Sequence, residues 1–407
     1  MKNRFLFIFL FTSLLSLAQT TIKGTVYYNN TPLESVAVYF NNTMVGTTTD
    51  EKGEFSIEVK EGQYELIISF LGFKKINYTV NTSVYNKPLV FSLKEEKNML
   101  DEIIIKKTVY DDEWKHNLAV FRNEFIGRTE LSKDCKILNP EVLYFDFDAK
   151  KSTLSAFARK PLLIKNKGLG YFITYELESF VRTKNSITYL GYTRYEELKG
   201  GKRKQKRWKK NRLKAYNGSA THFYKSITEN SFKEDGFVVN QFKRVLNTER
   251  PSEIEIKKAR ELIKLSRTTI NFSKSFDPPK NALDSALVVS KKARLPKFKD
   301  YLYKSQLKKE NIIIFKNNAY QLCFDNNLSV VYNKEKEEMG YITRNVFSKK
   351  RDPLPQTSSI ILLNKNITIG KNGTLINPLD VFYEGYWSYE KFANTLPLDY
   401  LPVDNSQ

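Results

Sequence analysis

Between Thr20 and Leu93, apolar residues alternate with polar residues in short runs that turn-forming residues separate. A period of two places every second side chain on one face of a β-strand, so each run predicts a strand with one buried face. The alternating positions include Ile22, Val26, Val36, Val38, Phe40, Phe55, Ile57, Val59, Tyr64, Leu66, Ile68, Phe70, Leu89, Phe91 and Leu93. About seven short strands at this spacing predict a β-sandwich, which we place at residues 19–95.

Sequence motifs within this stretch resemble those of a known domain family. They are Ile22-Lys23-Gly24-Thr25-Val26, Thr31-Pro32-Leu33, the segment 46–57 around Asp50 and Gly53, and Phe70-Leu71-Gly72-Phe73. The stretch resembles the carboxypeptidase-regulatory-like domain, a prealbumin-type, Greek-key sandwich. This domain often stands at the N-terminus of TonB-linked outer-membrane receptors. The resemblance implies a Gram-negative envelope protein in which this module is itself non-catalytic. The rest of the chain is too short for a receptor's plug and barrel, so we do not expect a receptor.

The first residues predict export. Lys2 and Arg4 precede an apolar run over 5–17, and Ala18 offers a small residue for cleavage. The run is shorter than the roughly 20 residues that a transmembrane helix needs. We therefore expect a signal peptide over 1–18 and no transmembrane helix in the mature chain. The expected location is the periplasm, the outer membrane or the cell surface.

The remaining chain predicts a linker followed by one α+β domain. Residues 96–112 form the linker, and a helix is predicted over 113–126 because its apolar residues follow helical spacing. Further helices are predicted over 252–266 and 389–394. Elsewhere, aromatic and β-branched runs with short polar connections predict an antiparallel sheet. The predicted fold class is thus mostly β, with an α+β domain over 113–407.

The charge predicts a polyanionic partner. The formal net charge is +21, and losing Lys2 and Arg4 with the leader leaves +19. In an exported protein this favours lipopolysaccharide or acidic glycan over nucleic acid. The candidate anion-binding residues are Lys202, Arg203, Lys204, Lys206, Arg207, Trp208, Lys209, Lys210 and Arg212. Trp208 is expected to stack on a sugar or base. The same run is also compatible with a solvated hairpin tip or helix face.

Catalytic and metal-binding motifs are sparse. Ser219 and His222 could meet on a helix as nucleophile and base, but Ser219 lacks a Gly-x-Ser-x-Gly elbow and equally suits a helix N-cap. His116, the other histidine, lacks the spacing of a zinc carboxypeptidase site. Asp50 is better explained as a turn residue than as a calcium ligand. We predict no catalytic, cofactor or metal site.

Two cysteines, Cys135 and Cys323, lie far apart in the sequence. Export permits a disulfide between them, and burial of both as small apolar side chains is the alternative.

Two functions follow from these patterns. The first is a non-enzymatic envelope protein, whose sandwich is a docking or spacer module. Its basic domain would bind an anionic envelope component or an envelope protein. The alternative is a hydrolase acting on envelope glycan or peptide, with its site in the second domain.

Overall fold

A computed structural model of the chain describes residues 19–96, 109–266, 278–316, 319–344, 351–370 and 373–402. The predicted leader and most of the predicted linker lie outside these residues. In the part of the chain that is described, no helix combines the length and the apolar character needed to cross a membrane.

Residues 19–96 form a β-sandwich, which we call the sandwich. Its strands are β1 (Gln19–Tyr28), β2 (Thr31–Pro32), β3 (Ala37–Phe40), β4 (Gly46–Thr48), β5 (Glu54–Lys60), β6 (Gln63–Ser69), β7 (Ile76–Asn81) and β8 (Leu89–Ser92). One four-stranded sheet contains β2, β1 and β5, with β8 parallel beside β1, and the other has the order β4-β3-β6-β7. The structure has eight strands where the sequence predicted seven, because very short strands such as β2 were not recognised. The predicted alternating residues do form the core, as the full burial of Ile22, Phe40 and Leu66 shows.

Residues 109–217 form the central domain, which is built on a six-stranded antiparallel sheet. Its elements are α1 (Asp112–Phe125), β9 (Cys135–Ile137), β10 (Leu143–Asp148), β11 (Thr153–Ala158), β12 (Leu162–Asn166), β13 (Tyr171–Arg182), β14 (Ile187–Glu197) and α2 (Lys202–Tyr216). Helix α1 begins where Asp111 accepts a hydrogen bond from the Trp114 amide at 2.8 Å. It buries Phe121 and Phe125 against the sheet, which confirms the predicted apolar helix.

Residues 218–385 form the distal domain around a five-stranded antiparallel sheet with the order β16-β15-β19-β20-β22. Its elements are α3 (Ala220–Glu229), β15 (Phe237–Leu246), α4 (Glu253–Leu265), α5 (Ala282–Lys292), β16 (Phe298–Lys304), β17 (Ile313–Lys316), β18 (Ala319–Leu322), β19 (Asn327–Lys336), α6 (Met339–Ile342), β20 (Pro355–Leu362), β21 (Thr368–Ile369) and β22 (Val381–Gly385). Strands β17, β18 and β21 form a small second sheet over the same core.

Residues 386–402 form a C-terminal strap that contacts all three regions, beginning with α7 (Tyr386–Tyr389). Trp387 lies in the distal core, and Phe392 lies in the central core. The amide of Leu398 then donates to the carbonyl of Asn42 in the sandwich at 2.7 Å. The residues predicted as one α+β domain therefore contain two hydrophobic cores, which the strap connects.

Candidate anion-binding site

The basic run folds as helix α2, one of the two alternatives that the sequence left open. No Pro, Gly or β-branched residue interrupts Lys202–Tyr216, and Lys and Arg are good helix formers. Gly201 precedes the helix without a capping side chain, and Gly218, with a φ of +74°, follows its end.

The inner face of α2 binds the loop between β12 and β13. Side chains of α2 donate hydrogen bonds to three consecutive carbonyl oxygens of this loop. Each of these oxygens therefore has a partner. The pairs are Trp208 Nε1 with Lys167 O (2.8 Å), Asn211 Nδ2 with Gly168 O (2.8 Å) and Arg212 Nε with Leu169 O (2.7 Å). These contacts fix the rotation of α2 about its own axis.

Trp208 is buried, with 3% of its surface exposed, in a slot between two glycines. A Cβ atom at Gly170 would lie 2.3 Å from the indole ring, and one at Gly200 would lie 2.6 Å from it. Gly170 also has a φ of +79°, which favours glycine. This corrects the expectation that Trp208 stacks on a sugar or base, because its ring is an internal anchor.

Two of the candidate cations have partners within the protein. The guanidinium of Arg212 lies 4.1 Å above the ring of Tyr171 and 2.5 Å from the Glu197 carboxylate. Arg207 lies 3.6 Å from Asp134. We therefore assign both residues to the docking of α2 and remove them from the candidate anion-binding set.

Six candidate cations are exposed and have no ion-pair partner among the described residues. They are Lys202, Arg203, Lys204, Lys206, Lys209 and Lys210. At 3.6 residues per turn, all of them except Lys204 lie within about a third of the helix circumference. We call these five residues, without Lys204, the basic face. They can offer several positive charges to one anionic surface.

The first turn of α2 is also unfavourable for cations. Lys202, Arg203 and Lys204 occupy the end at which the helix dipole is positive, and no acidic residue lies in that turn. The amide groups of the same turn have no side-chain cap. A bound anion would relieve both the repulsion and the missing hydrogen bonds.

The sandwich contacts the central domain beside β14 through main-chain and side-chain groups. The Asn42 amide donates to Thr193 O at 2.8 Å, and the Tyr195 amide donates to Thr43 O at 3.0 Å. These hydrogen bonds pair the edge of β14 with a loop of the sandwich. Main-chain groups on both sides therefore hold the contact in one register.

Glu176 is the central side chain of this interface and is 8% exposed. Its carboxylate accepts hydrogen bonds from Tyr39 Oη at 2.8 Å and Ser69 Oγ at 3.1 Å, and Lys75 lies 3.2 Å away. A buried carboxylate needs such partners to offset its desolvation. The sandwich supplies all three of these groups, while the carboxylate comes from β13.

Residues 22–105 match the family model of the CarboxypepD_reg-like domain. The chain contains a carboxypeptidase-regulatory-like domain. The matched residues include all of the sandwich except residues 19–21, while α2 and the rest of residues 106–407 lie outside the match. No curated protein matches the chain significantly. The likeness to the module of TonB-linked receptors stays a prediction.

Outside the carboxypeptidase-regulatory-like domain, Ser219 and His222 do not form a nucleophile–base pair. The Ser219 hydroxyl accepts from the His222 amide at 3.1 Å as the N-cap of α3. The imidazole Nδ1 accepts from the Gly218 amide at 3.1 Å, while Nε2 lies 3.9 Å from Asp235. Burial lowers the pKa of His222 to about 4. The hydrolase alternative thus loses its predicted catalytic pair.

Cys135 and Cys323 are both free thiols in the structure, which corrects the possible disulfide. Cys135 is buried in the core of the central domain, whereas Cys323 follows β18 in the distal domain and is exposed. Their positions in different domains explain why they do not pair.

The two residues that the sequence analysis considered as metal ligands are Asp50 and His116. Asp50 is a turn residue, because its Oδ1 accepts from the amides of Lys52 at 3.0 Å and Glu54 at 2.8 Å. His116 is exposed on α1. Within the described ranges, no group of three or more His, Cys, Asp and Glu side chains could hold a metal ion.

Sequence reasoning missed a group of glutamates beside the C-terminal end of α2. Lys214 lies 3.0 Å from Glu338, which also accepts from the Glu130 amide at 3.1 Å. Burial, together with the charges of Glu338 and Glu335, raises the pKa of Glu390 to about 8. These residues come from β19, the start of α6 and the strap. No local sequence pattern could have predicted that they meet.

Proposed function

We propose that the chain is an exported, non-enzymatic envelope protein whose basic face binds an anionic envelope component, such as lipopolysaccharide or acidic glycan. The five cations of the basic face, which are exposed and have no ion-pair partner among the residues that the structure describes, are the observation that carries this proposal. The leader-like N-terminus and the formal net charge of +21 support it.

The helix that carries the anion-binding surface is anchored along its inner side. Trp208, Asn211 and Arg212 hold the inner side of α2, so the outer cations project from a fixed helix. Binding then orders lysine and arginine side chains but not the backbone, which limits the entropy lost on association. Phosphate groups spaced along a polymer or membrane surface are suitable ligands, because the cations are themselves spread over several helical turns.

The carboxypeptidase-regulatory-like domain acts in this proposal as a docking module rather than as the ligand-binding surface. Its contacts through Glu176 and the edge of β14 support a fixed position beside the central domain. The helix that carries the basic face belongs to the central domain. Ser219 and His222 each accept a hydrogen bond from a backbone amide, which supports a non-enzymatic function over the hydrolase alternative.

The test measures binding of the chain from Gln19 to immobilised lipopolysaccharide over a series of salt concentrations. The test variant replaces five cations of the basic face with glutamine: Lys202, Arg203, Lys206, Lys209 and Lys210. A matched control replaces five exposed cations of α4 and α5: Lys257, Lys258, Lys264, Lys291 and Lys292. Both variants have the same net charge, so their difference reports position rather than total charge.

We expect the α2 variant to bind at least about tenfold more weakly at low salt, and the control to stay within about threefold of the wild type. The affinity of the wild type should fall as the salt concentration rises, because salt screens exposed charges. Equal losses in the two variants would show that net charge alone drives binding. Salt-independent binding would contradict the proposal.

A further inference from the structure

An arm of the distal domain carries an apolar strand edge that has no partner strand among the described residues. Residues 237–242 of β15 pair with β19, but residues 243–246 pair only with β16 among the described strands. Here the two strands form a two-stranded ribbon, which Arg244 joins to Glu384 of β22 at 2.9 Å, and α4 and α5 connect them. We call the described residues 243–266 and 278–304 the arm.

The helical part of the arm has its own small core. Ile256 and Ala259 of α4 and Ala286 and Leu287 of α5 are buried, but none of them belongs to the three main cores. The helical part of the arm therefore packs around a small core of its own.

Strand β16 is unusually exposed for a strand rich in large apolar side chains. Phe298, Tyr301, Leu302 and Tyr303 expose 45%, 54%, 60% and 46% of their surface. Strand β16 lies at the edge of its sheet, with β15 as its neighbour. An exposed, apolar edge strand is a template for pairing with another strand, and proteins usually protect such edges.

The charge around this edge is positive. The described residues of the arm contain 14 Lys and Arg but only 6 Asp and Glu. Asp300, the one acid of β16, is held by Arg244 at 2.7 Å. Lys297 and Lys304, near the two ends of β16, are exposed and have no ion-pair partner in the described chain.

We propose that the outer edge of β16 is a docking site for an acidic, extended segment of a partner protein, which adds to the sheet as a strand. The main-chain groups of the edge supply hydrogen bonds, and the exposed aromatic and leucine side chains supply apolar contact. Lys297 and Lys304 select for acidic residues near the ends of the added strand.

The observations favour this occupant over a second copy of the chain and over a lipid surface. Pairing two β16 edges would bring together two arms that each carry a surplus of eight positive charges. Insertion into lipid would leave the main-chain groups of the open edge without hydrogen-bond partners. An acidic strand satisfies both the charge and the main-chain groups.

The experiment measures binding of a fluorescent peptide of alternating glutamate and valine to the chain from Gln19. One control peptide has lysine in place of glutamate. Another has the glutamate–valine sequence with alternate main-chain amides methylated, which removes the hydrogen bonds of strand pairing. The protein variants are Lys297→Glu with Lys304→Glu, and Tyr301→Ser with Leu302→Ser. The matched charge control is Lys160→Glu with Lys184→Glu in two exposed turns of the central domain, which has the same net charge as the first variant.

We expect each β16 variant to bind the peptide at least about tenfold more weakly, and the central-domain control to stay within about twofold of the wild type. Neither control peptide should bind. Equal binding of the methylated peptide would overturn the proposal, because it would exclude strand addition. The proposal would also fail if the β16 variants weakened binding to phosphatidylglycerol vesicles but did not weaken binding to the peptide. A dimer in sedimentation that Tyr301→Ser with Leu302→Ser dissociates would instead identify a second copy as the occupant. These outcomes are independent of the anion-binding test on α2.

Discussion

The sandwich and the two domains that follow it assemble their cores in different ways. The sandwich core comes from one continuous stretch, because all its paired strands lie within residues 19–96, including the first and the last. The central core instead combines Phe125, near its beginning, with Phe392 of the C-terminal strap, whose rings stack at 4.6 Å. Local alternation is therefore sufficient to specify the sandwich core, whereas the core of the central domain depends on a distant segment.

The largest expected effect comes from Phe392→Ala, which tests the dependence of the central domain on the strap. Phe392 is 4% exposed and packs on both Phe125 and Tyr175. Its truncation should lower the free energy of unfolding by about 3–5 kcal/mol, because it leaves a cavity in the core. Hydrogen exchange should show lost protection in α1 and β13 but not in β5 and β6.

The matched control is Phe91→Ala, in the sandwich core. It should reduce protection in the sandwich while β13 keeps most of its protection. The proposed difference between the regions is wrong if both substitutions reduce protection equally over the whole chain.

Glu176→Ala tests the connection between the regions and should have the next largest effect. The substitution leaves the hydroxyl of Tyr39, a residue only 3% exposed, without its acceptor. We expect a loss of about 1–3 kcal/mol, with faster exchange on both sides of the interface. Adding Tyr39→Phe to Glu176→Ala should recover part of the loss, because no buried hydroxyl then remains unpaired. Identical losses in the single and double variants would contradict this role.

The pH dependence of stability offers a third test, through Glu390. Its pKa is about 8 in the folded protein, against about 4.3 for an unperturbed glutamate. Between these values the folded state keeps a proton that the unfolded state releases. The stabilisation is therefore complete below about pH 4.3 and falls, by up to about 1.4 kcal/mol per pH unit, until about pH 8.

Glu390→Gln removes this titration. Urea denaturation should show the variant to be more stable than the wild type at pH 8 and similar to it at pH 4.5. The assignment fails if the variant keeps the wild-type slope between these two pH values.

The smallest expected effect concerns the first turn of α2. Lys202→Glu with Arg203→Glu places negative charge at the positive end of the helix dipole. It should raise the free energy of unfolding by about 0.3–1 kcal/mol per residue at low salt, while weakening lipopolysaccharide binding. Thermal denaturation measures the first effect. A loss of stability would show that these cations have a structural role.

The same contrast explains what the sequence could predict. The period of two from Ile22 to Leu93 predicted the sandwich, because each strand shows its buried face within its own few residues and all partner strands lie in the same stretch. Local caps predicted helices as well. Ser252 and Glu255 form a capping box at the start of α4, where a helix over 252–266 was expected.

Other features depended on tertiary contacts and were missed or misplaced. Helix α5 was not predicted, although Asn281 caps it. The helix expected over 389–394 is instead α7, followed by a 3-10 turn at Phe392–Asn394. At the candidate site the sequence predicted the cations of α2 but not the burial of Trp208. Trp208, Asn211 and Ala215 recur on one side of the helix, and this spacing could have predicted that Trp208 is buried.

The most direct test of the account is to map the amide chemical shifts of the chain with a soluble glucosamine disaccharide bisphosphate, which has the phosphate groups of a lipopolysaccharide headgroup. Binding of the phosphates by the basic face should produce shifts that saturate at residues 202–210 of α2 and disappear in the variant with five glutamines. Saturating shifts confined to the sandwich, or an unchanged spectrum over 202–210, would contradict it.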